Sequence, residues 1–396
     1  MHLATLRLQN FRNYPALELP LQPGVHLILG RNAQGKTNLL ESIAYLALGR
    51  SFRVASDRDL IRWGAPEMRV AAGVDGRLGR FTLELEYSWR PGEGATKQAR
   101  LNGLKVERLS QLLGNLLVVV FTPGDLELVK GPPACRRRML DTELVQLNAG
   151  YRSAFARYQR ALAQRNSVLR AWQASGSAAE PPPLAAWDQE LAETGARLVV
   201  GRLQAVARLR KLAAEAHAAL AGGSERLELG YECSLGGKRN CLANDEVYLF
   251  GGSPESPAPD VTSLTEVFLS ELHQRRPEER RRGTTLVGPH RDDLALWLDR
   301  RDARIYASQG QQRTVSLALK LAEVRYFQQV AGEFPVLLLD DVLSELDEGR
   351  QTALAQALGP VTQVFLTATA LSPGLRDVWP GSFEYEVQDG KVTRRG

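Results

Sequence analysis

Two glycines, a lysine and a threonine stand at fixed spacing in the segment Gly30-Arg31-Asn32-Ala33-Gln34-Gly35-Lys36-Thr37. The spacing G-x-x-x-x-G-K-[ST] is that of a P-loop, in which glycines let successive backbone N–H groups surround a phosphate. In such a loop Lys36 contacts the β- and γ-phosphates, and the Thr37 hydroxyl is a candidate Mg²⁺ ligand. The alternative is a glycine turn without function, but an apolar strand precedes this segment and a helical pattern follows it. The segment therefore predicts nucleotide binding.

Two acidic residues end an apolar run late in the chain, Pro335-Val336-Leu337-Leu338-Leu339-Asp340-Asp341. Such a run is typical of a parallel strand buried on both faces, and ligands bind at the carboxyl ends of these strands. A P-loop needs a carboxylate on a neighbouring strand to hold the magnesium shell. We therefore predict that Asp340 holds Mg²⁺ and that Asp341 polarises the attacking water.

A third motif, Ser308-Gln309-Gly310-Gln311, stands before an amphipathic helical pattern. Its simplest interpretation is a serine or glycine helix cap. Together with the P-loop and the acid strand, it resembles the signature motif of ABC ATPases, whose N–H groups bind the γ-phosphate held by the opposite subunit. Ser344-Glu345-Leu346-Asp347 matches the D-loop position of that class, and Thr367 the switch position. The order of these motifs predicts an α/β fold of the ABC type.

The elements between the two halves of this site fall into two groups. Residues 69–120 alternate polar and apolar side chains and predict a β-rich subdomain, whereas residues 126–221 are helical in pattern. The stretch at 173–183, which ends in three prolines, interrupts the helical segment and predicts an antiparallel hairpin. Its first helix, at 151–172, would extend about 33 Å. Residues 222–263 predict loops and a small sheet edge.

The spacing of the motifs fixes the expected domain organisation. Lys36 and Asp340 lie 304 positions apart (340 − 36), far more than a minimal P-loop core needs. We therefore predict an ATPase head of mixed sheet and helices, built from residues 1–123 and 284–396. Residues 124–283 are expected to form a helical arm inserted into that head.

Composition indicates a soluble globular protein. The 396 residues are 44% hydrophobic and 24% charged, with a net charge of +5. No apolar run reaches the ~18 residues that span a bilayer, so we expect a cytoplasmic protein without a membrane partner. The three cysteines, Cys135, Cys233 and Cys241, lack the spacing of a disulfide framework or a zinc site.

Five segments together resemble the RecF family, the bacterial recombination and repair ATPases related to SMC-type heads. They are the runs at residues 6–14, 30–41, 48–53, 287–294 and 338–347. The resemblance covers nearly the whole chain and is weakest at 173–183 and 222–263. It implies ATP and Mg²⁺ as cofactors and an ATP-dependent homodimer. The expected DNA is duplex next to single-strand gaps or junctions, at the nucleoid, with RecO and RecR helping to place RecA.

The same resemblance implies slow ATP hydrolysis that acts as a switch, so enzymatic activity is expected to be weak and DNA-dependent. It implies nucleotide contacts by Arg12, by residues 30–38 and by the signature motif. The catalytic candidates are Lys36, Asp341, Ser308 and Thr367; the metal ligands are Thr37 and Asp340; the nucleotide-binding candidates are Arg12, Gly30, Arg31, Asn32, Ala33, Gln34, Gly35, Lys36, Thr37, Asn38, Ser308, Gln309, Gly310 and Gln311.

Three departures from the broader ABC pattern concern the attacking water. Asp341 stands where a glutamate is usual, Thr367 stands where a histidine is usual, and Thr122-Pro123-Gly124-Asp125 offers no clear Q-loop glutamine. The shorter carboxylate of Asp341 would hold the water less well. The sequence leaves open which residue positions it.

Two arginine clusters are candidates for DNA contact. Arg136, Arg137 and Arg138 stand at a predicted helix start, and a second cluster lies between Arg275 and Arg282. Solvated helix faces are the alternative interpretation, above all for the second cluster, which is interleaved with Glu278 and Glu279.

Two other functions are compatible with a P-loop. The ATPase subunit of a membrane transporter would have ordinary length and a surface for transmembrane coupling helices, whereas this chain inserts a basic helical arm. A small-molecule P-loop kinase would not need a signature loop that acts in trans.

Overall fold

A computed structural model describes residues 1–77, 79–92, 94–176, 179, 181–235, 240–243, 246–247, 260–358, 361–369, 379 and 381–395. The chain divides into two compact units. Unit 1 comprises Met1–Asp125 and Lys320–Gly396, and unit 2 comprises Leu126–Leu319.

The strands and α-helices are numbered here in chain order. The strands are β1 His2–Phe11, β2 Tyr14–Pro20, β3 Gly24–Leu29, β4 Glu67–Gly76, β5 Gly79–Arg90, β6 Gly94–Leu101, β7 Leu104–Lys105, β8 Val118–Phe121, β9 Leu227–Cys233, β10 Asn240–Ala243, β11 Glu246–Val247, β12 Asp293–Leu298, β13 Arg301–Asp302, β14 Val336–Asp340, β15 Gln363–Ala368, β16 Phe383–Gln388 and β17 Lys391–Arg395. The helices are α1 Lys36–Leu48, α2 Glu127–Lys130, α3 Pro133–Leu147, α4 Ala149–Ser175, α5 Pro183–Ala221, α6 Val261–Arg282, α7 Ala303–Tyr306, α8 Gln309–Ala331 and α9 Glu348–Leu358.

The first sheet of unit 1 is antiparallel, with strand order β2-β1-β4-β5-β6-β7. Its strands alternate between buried and more exposed residues because one face lies on the core; in β4, Met68, Val70, Ala72 and Val74 are buried. Of the β-rich subdomain predicted for residues 69–120, β4 to β7 lie in this sheet, whereas β8 pairs with β14 in the second sheet. The first two strands of the first sheet come from the amino terminus.

The second sheet of unit 1 has the order β17-β16-β3-β15-β14-β8 and is parallel from β16 to β8. All five residues of β14 are buried, as its uninterrupted apolar sequence predicts for a strand covered on both faces. Helix α1 packs between the two sheets, where Leu39, Ile43 and Leu46 share one core with residues of both. This packing holds the residues that flank α1 in fixed positions.

Two long antiparallel helices dominate unit 2. Tyr151 of α4 lies beside Gly201 of α5, and Arg165 pairs with Asp188 nearer the other end of the hairpin. The 27 residues of α4 correspond to about 40 Å at 1.5 Å per residue. The antiparallel hairpin is present, and it is longer than the predicted 33 Å because α4 extends from Ala149 to Ser175.

The predicted boundary at residue 283 is not the boundary between the compact units. Strand β12 was expected to return the chain to the head, but it pairs with β9 along six residues in the sheet β11-β10-β9-β12-β13 of unit 2. Residues 284–319 therefore belong to unit 2, and the division falls within α8. The first predicted boundary, after residue 123, lies two residues from the observed one.

The described helices include none that is both long enough and apolar enough to cross a membrane.

Candidate nucleotide-binding site

The P-loop connects β3 to α1 and follows the geometry that its glycines predict. Gly35 has φ +114° and immediately precedes the first helical residue, Lys36. Ala33 also has a positive φ, +65°. Such alternation of backbone conformation turns successive N–H groups to one side and forms an anion-binding concavity. The exposed side chains of Arg31 and Asn32 leave that concavity open to solvent.

Neighbouring turns support the loop from two sides. Asn13 Nδ2, in the β1–β2 turn, donates to the Gln34 carbonyl at 2.9 Å, and Tyr14 Oη donates to the Gly35 carbonyl at 2.9 Å. A Cβ on Gly35 would lie 2.5 Å from Asn13 Nδ2, and one on Gly30 would lie 2.4 Å from the Val387 carbonyl oxygen. Both glycines are therefore required by the protein's own packing as well as by approach to a phosphate.

The lysine of the motif is oriented by backbone carbonyls. Lys36 Nζ donates to the Gly30 oxygen at 2.6 Å and to the Arg31 oxygen at 2.9 Å. Burial lowers the pKa of Lys36, while Asp341 and Asp340 act in the opposite direction. A cation that is bound to neutral carbonyl groups keeps its full charge available to an anion placed in the loop.

The acid strand meets the P-loop at the side chain of Thr37. Thr37 Oγ1 donates to Asp340 Oδ1 at 2.7 Å, and Thr367 Oγ1 donates to the same oxygen at 2.9 Å. The Asp341 N–H donates to Thr367 Oγ1 at 2.9 Å. Four predicted site residues from three distant parts of the sequence thus form one hydrogen-bonded cluster.

The residues at this cluster fit a magnesium ion bound together with a nucleotide. Hydroxyl and carboxylate oxygens, as on Thr37 and Asp340, are the ligands that Mg²⁺ takes, and it commonly completes its shell with phosphate and water. Within the described parts of the chain, no group of three or more His, Cys, Asp or Glu side chains is arranged to hold a metal ion. Such an ion would therefore depend on the nucleotide phosphates for its remaining ligands.

Arg12 is placed beside α1 by a buried carboxylate. Its guanidinium donates to both oxygens of Glu41 at 2.9 Å, and the Glu41 side chain is fully buried. Ser51 Oγ donates to Glu41 at 2.5 Å. The predicted nucleotide ligand Asn38 donates from Nδ2 to Asn13 Oδ1 at 2.8 Å. The charge of Arg12 is thus paired with a carboxylate, whereas Lys36 donates to backbone carbonyls.

The signature motif lies in unit 2, at the start of α8. The Ser308 N–H donates to Gln311 Oε1 at 2.7 Å, and the Gln311 N–H donates to Ser308 Oγ at 3.3 Å. This reciprocal pair is a capping box, so the helix-cap interpretation of Ser308 describes its local role. Gln311 Nε2 also donates to Glu225 at 2.7 Å. Ser308 and Gln309 are exposed, and Gly310 is half-buried.

Comparison with known proteins decides the family. Residues 2–372 match the family described as the RecF/RecN/SMC N-terminal domain. The DNA replication and repair protein RecF of Symbiobacterium thermophilum is 43% identical over 99% of this chain and 98% of its own length. RecF of Halalkalibacterium halodurans is 39% identical over the full length of both chains.

The chain belongs to the RecF family of DNA replication and repair proteins.

Solved structures agree with this assignment. A structure described as the recombination mediator protein RecF-ATP in the RecFOR pathway matches with a TM-score of 0.85 and 31% identity, covering 100% of this chain and 98% of the other. An SMC head domain bound to the C-terminal winged-helix domain of ScpA matches with a TM-score of 0.54 at 14% identity, which concerns the fold alone. The predicted ABC-type head with an inserted helical arm is confirmed, and the transporter alternative finds no support.

The arginine run at the start of α3 is only partly available for DNA in this RecF-family chain. Arg136 is buried and pairs through two nitrogens with Asp293 at 2.8 Å. Arg137 donates to the Asp292 carbonyl at 2.6 Å and is half-buried. Arg138 is exposed. Its partner Asp293, 157 positions away in the sequence, occupies the Arg136 guanidinium and argues against contact with DNA. DNA contact by these arginines stays a prediction.

The second arginine cluster is similarly engaged. Arg276 is buried against Asp188, and Arg280 lies over the Trp172 ring and donates to the Gly176 carbonyl at 3.2 Å. Arg275 and Arg282 pair with glutamates one helical turn away. These contacts agree with the interpretation of a helix face stabilised by ion pairs.

Several residues that organise the site were not predicted as functional. Asn13 and Tyr14 support the P-loop, Glu41 holds Arg12, and Asp389 donates from its backbone to Gln34 at 2.8 Å. Asn13, Tyr14 and Glu41 lie inside segments that carry the family resemblance. Their presence in those segments was a usable signal, whereas nothing in the sequence pointed to the β16–β17 turn.

Proposed function

We propose that this chain is an ATP-dependent DNA-binding protein of recombinational repair, in which ATP joins two copies head to tail. The observation that supports this most directly is the cluster of Lys36, Thr37, Asp340, Asp341 and Thr367 in unit 1, together with an exposed signature loop in unit 2. The solved RecF structures described with ATP and with ATPrS support nucleotide binding by the same fold.

In this proposal the nucleotide phosphates lie in the P-loop. Residues 30–38 bind them through backbone N–H groups and through Lys36, which releases its carbonyl acceptors to do so. Thr37 and Asp340 would hold Mg²⁺, which would supply positive charge that neutralises the phosphates. Asp341, supported by Thr367, orients the water that attacks the γ-phosphate.

The second half of the site comes from another copy. Ser308, Gln309, Gly310 and Gln311 contact the γ-phosphate held by the partner's P-loop, so a monomer has an incomplete site. Hydrolysis is accordingly weak and serves as a switch between dimer and monomer. Residues 1–123 and the segment from β14 onward act as the ATPase head, and the α4–α5 hairpin acts as the arm.

The DNA is a duplex near a single-strand gap or junction, held by the ATP-bound dimer. RecO and RecR are the proposed protein partners, and placement of RecA on the adjacent single strand is the proposed outcome. The relatives' description as DNA replication and repair proteins and the RecFOR description of the solved structure support this assignment. We place this activity in the cytoplasm, at the nucleoid, without a membrane partner.

Sedimentation with ATP and Mg²⁺ tests the dimer. The wild-type chain is expected to dimerise only when ATP is present, whereas Lys36→Met and Ser308→Arg are expected to remain monomeric. Lys36→Met removes the phosphate charge and Ser308→Arg obstructs the loop acting in trans. If all three chains form the same amount of dimer, the proposal is wrong.

DNA binding is tested on duplex, single-stranded and gapped substrates with and without ATP. We expect ATP to increase affinity for duplex and gapped DNA, because only the dimer presents a complete binding surface. If ATP changes the affinity for none of the three substrates, the proposed ATP-dependent DNA binding is wrong. The proposed ATP-dependent dimer would be unaffected by that result.

A further inference from the structure

Two large hydrophobic side chains are exposed next to each other just before the signature loop. Ile305 is 63% exposed and Tyr306 is 67% exposed. Throughout the described part of unit 2, no other large hydrophobic side chain is exposed to this degree. Removal of apolar surface from water is favourable, so two adjacent exposed side chains of this size are a candidate contact surface.

The pair is held on an ordered turn. Asp302 Oδ1 accepts from the Arg304 N–H at 2.9 Å, and the Ala307 N–H donates to the Ala303 carbonyl at 3.2 Å. Ala303 itself is buried. Because the backbone on both sides of the pair is fixed, its exposure is a property of the folded chain. A backbone segment that is already ordered loses little conformational entropy when a partner covers it.

The same segment is continuous with the signature loop. Gln312 Nε2 donates to the Ala307 carbonyl at 2.9 Å, and the Gln312 N–H donates to the Ser308 carbonyl at 2.8 Å. These bonds join the first turn of α8 to the residues just after Tyr306. The pair therefore lies two and three residues before Ser308 on one ordered segment.

We propose that Ile305 and Tyr306 form the apolar anchor by which the signature face of one copy of this chain binds a second copy. This inference rests on the proposed function, in which Ser308 acts on the partner's nucleotide. The loop itself presents serine, glutamine and glycine, which can contact phosphate but bury little apolar surface. Tyrosine is enriched among the residues that dominate binding energy at protein interfaces, and the pair supplies the apolar surface that the loop lacks.

Sedimentation equilibrium with ATP and Mg²⁺ tests the anchor, with Leu104→Ala as the matched control. Leu104 is 75% exposed in β7 of unit 1, so its truncation removes a comparable exposed side chain outside unit 2. We expect Tyr306→Ala to raise the dimer dissociation constant about 30-fold and Leu104→Ala to change it less than about threefold. Tyr306→Phe keeps the ring and is expected to stay within about threefold of wild type.

Two further measurements make the result decisive. Thermal unfolding and ATP binding by monomeric Tyr306→Ala are expected to match wild type, because the side chain is exposed and outside the P-loop unit. A wild-type chain that stays monomeric with ATP overturns both this inference and the proposed function. A wild-type chain that dimerises while Tyr306→Ala dimerises equally well overturns the anchor alone. So does a Tyr306→Phe chain as weak as Tyr306→Ala, which would assign the contact to the hydroxyl.

Discussion

The P-loop and the helical hairpin each contain a buried cation, but the two cations are paired differently. Lys36 donates to two neutral backbone carbonyls, at 2.6 and 2.9 Å. Arg165, in α4, donates to Asp188 and Glu279 at 2.6 Å each and to Thr285 at 2.8 Å. The arginine and both carboxylates are almost completely buried.

The difference separates a cation that can serve a ligand from one that serves the fold. A phosphate that enters the P-loop replaces two neutral acceptors of Lys36 with a charged one, which strengthens the hydrogen bonds. The same phosphate near Arg165 would have to displace two carboxylates and leave them buried without their partner, at a cost of several kcal/mol. Both cations are buried, so burial does not distinguish their roles. The groups that accept their hydrogen bonds do: neutral carbonyls leave a cation available to a ligand, and carboxylates commit it to the fold.

The largest effect is expected where the buried pair is broken. Arg165→Ala should lower the free energy of unfolding by about 3–5 kcal/mol, because Glu279 and Asp188 stay buried without this guanidinium. Chemical denaturation monitored by circular dichroism measures the change.

The matched control for that substitution is on the same two helices. Arg157 of α4 pairs with Glu190 of α5 at 2.7 Å, but the arginine side chain is 52% exposed. Arg157→Ala should cost less than about 1 kcal/mol, as solvated pairs do. If the two variants lose the same free energy of unfolding, burial of the carboxylates does not determine how much each ion pair contributes.

The second-largest effect is expected at Lys36, whose hydrogen-bond acceptors are neutral carbonyls. Lys36→Ala should weaken ATP binding roughly 100-fold, about 2–3 kcal/mol, because a charge-assisted phosphate contact is lost. Unfolding free energy without nucleotide should change by less than about 1 kcal/mol. Titration calorimetry with ATP and Mg²⁺ measures the affinity, and Lys105→Ala, at an exposed position in β7, should bind ATP like wild type.

Arg12 tests the rule inside the P-loop region itself. Family resemblance predicts that Arg12 binds nucleotide, yet its guanidinium already pairs with the buried carboxylate of Glu41, which Arg53 also approaches at 3.5 Å. We therefore expect Arg12→Ala to weaken ATP binding less than about fivefold while lowering unfolding free energy by about 2–3 kcal/mol. A loss of ATP affinity as large as that of Lys36→Ala would mean that Arg12 leaves Glu41 to bind phosphate.

The same distinction explains which predictions from sequence succeeded. The P-loop, the acid strand and the strand–helix order around them follow from local backbone requirements, so Gly35, Thr37 and Asp340 lie where their motifs predict. The pairing of Arg136 depends on Asp293, and that of Arg165 on Glu279. Such partners are separated by more than a hundred positions, and no local pattern identifies them.

The extent of the arm was mispredicted for a related reason. The pattern of β12 correctly predicts a strand, but a strand's sequence does not say which sheet it joins. Its neighbour β9 lies in a glycine- and serine-rich region that gave a weak signal. This pairing places Asp293–Leu298 in unit 2, which extends to Leu319 instead of ending at 283.

The smallest expected effect distinguishes the three arginines at the start of α3. Arg138 is exposed, whereas Arg136 is buried on Asp293, so only the former can exchange solvent counterions for a DNA phosphate. Arg138→Ala should therefore flatten the plot of log affinity for duplex DNA against log salt concentration by about 0.9, the value for one phosphate contact. Arg138→Lys keeps the charge and should leave the slope unchanged. Binding isotherms in ATP at several salt concentrations give both slopes; if Arg138→Ala keeps the wild-type slope, this arginine is a solvated residue and DNA is bound elsewhere.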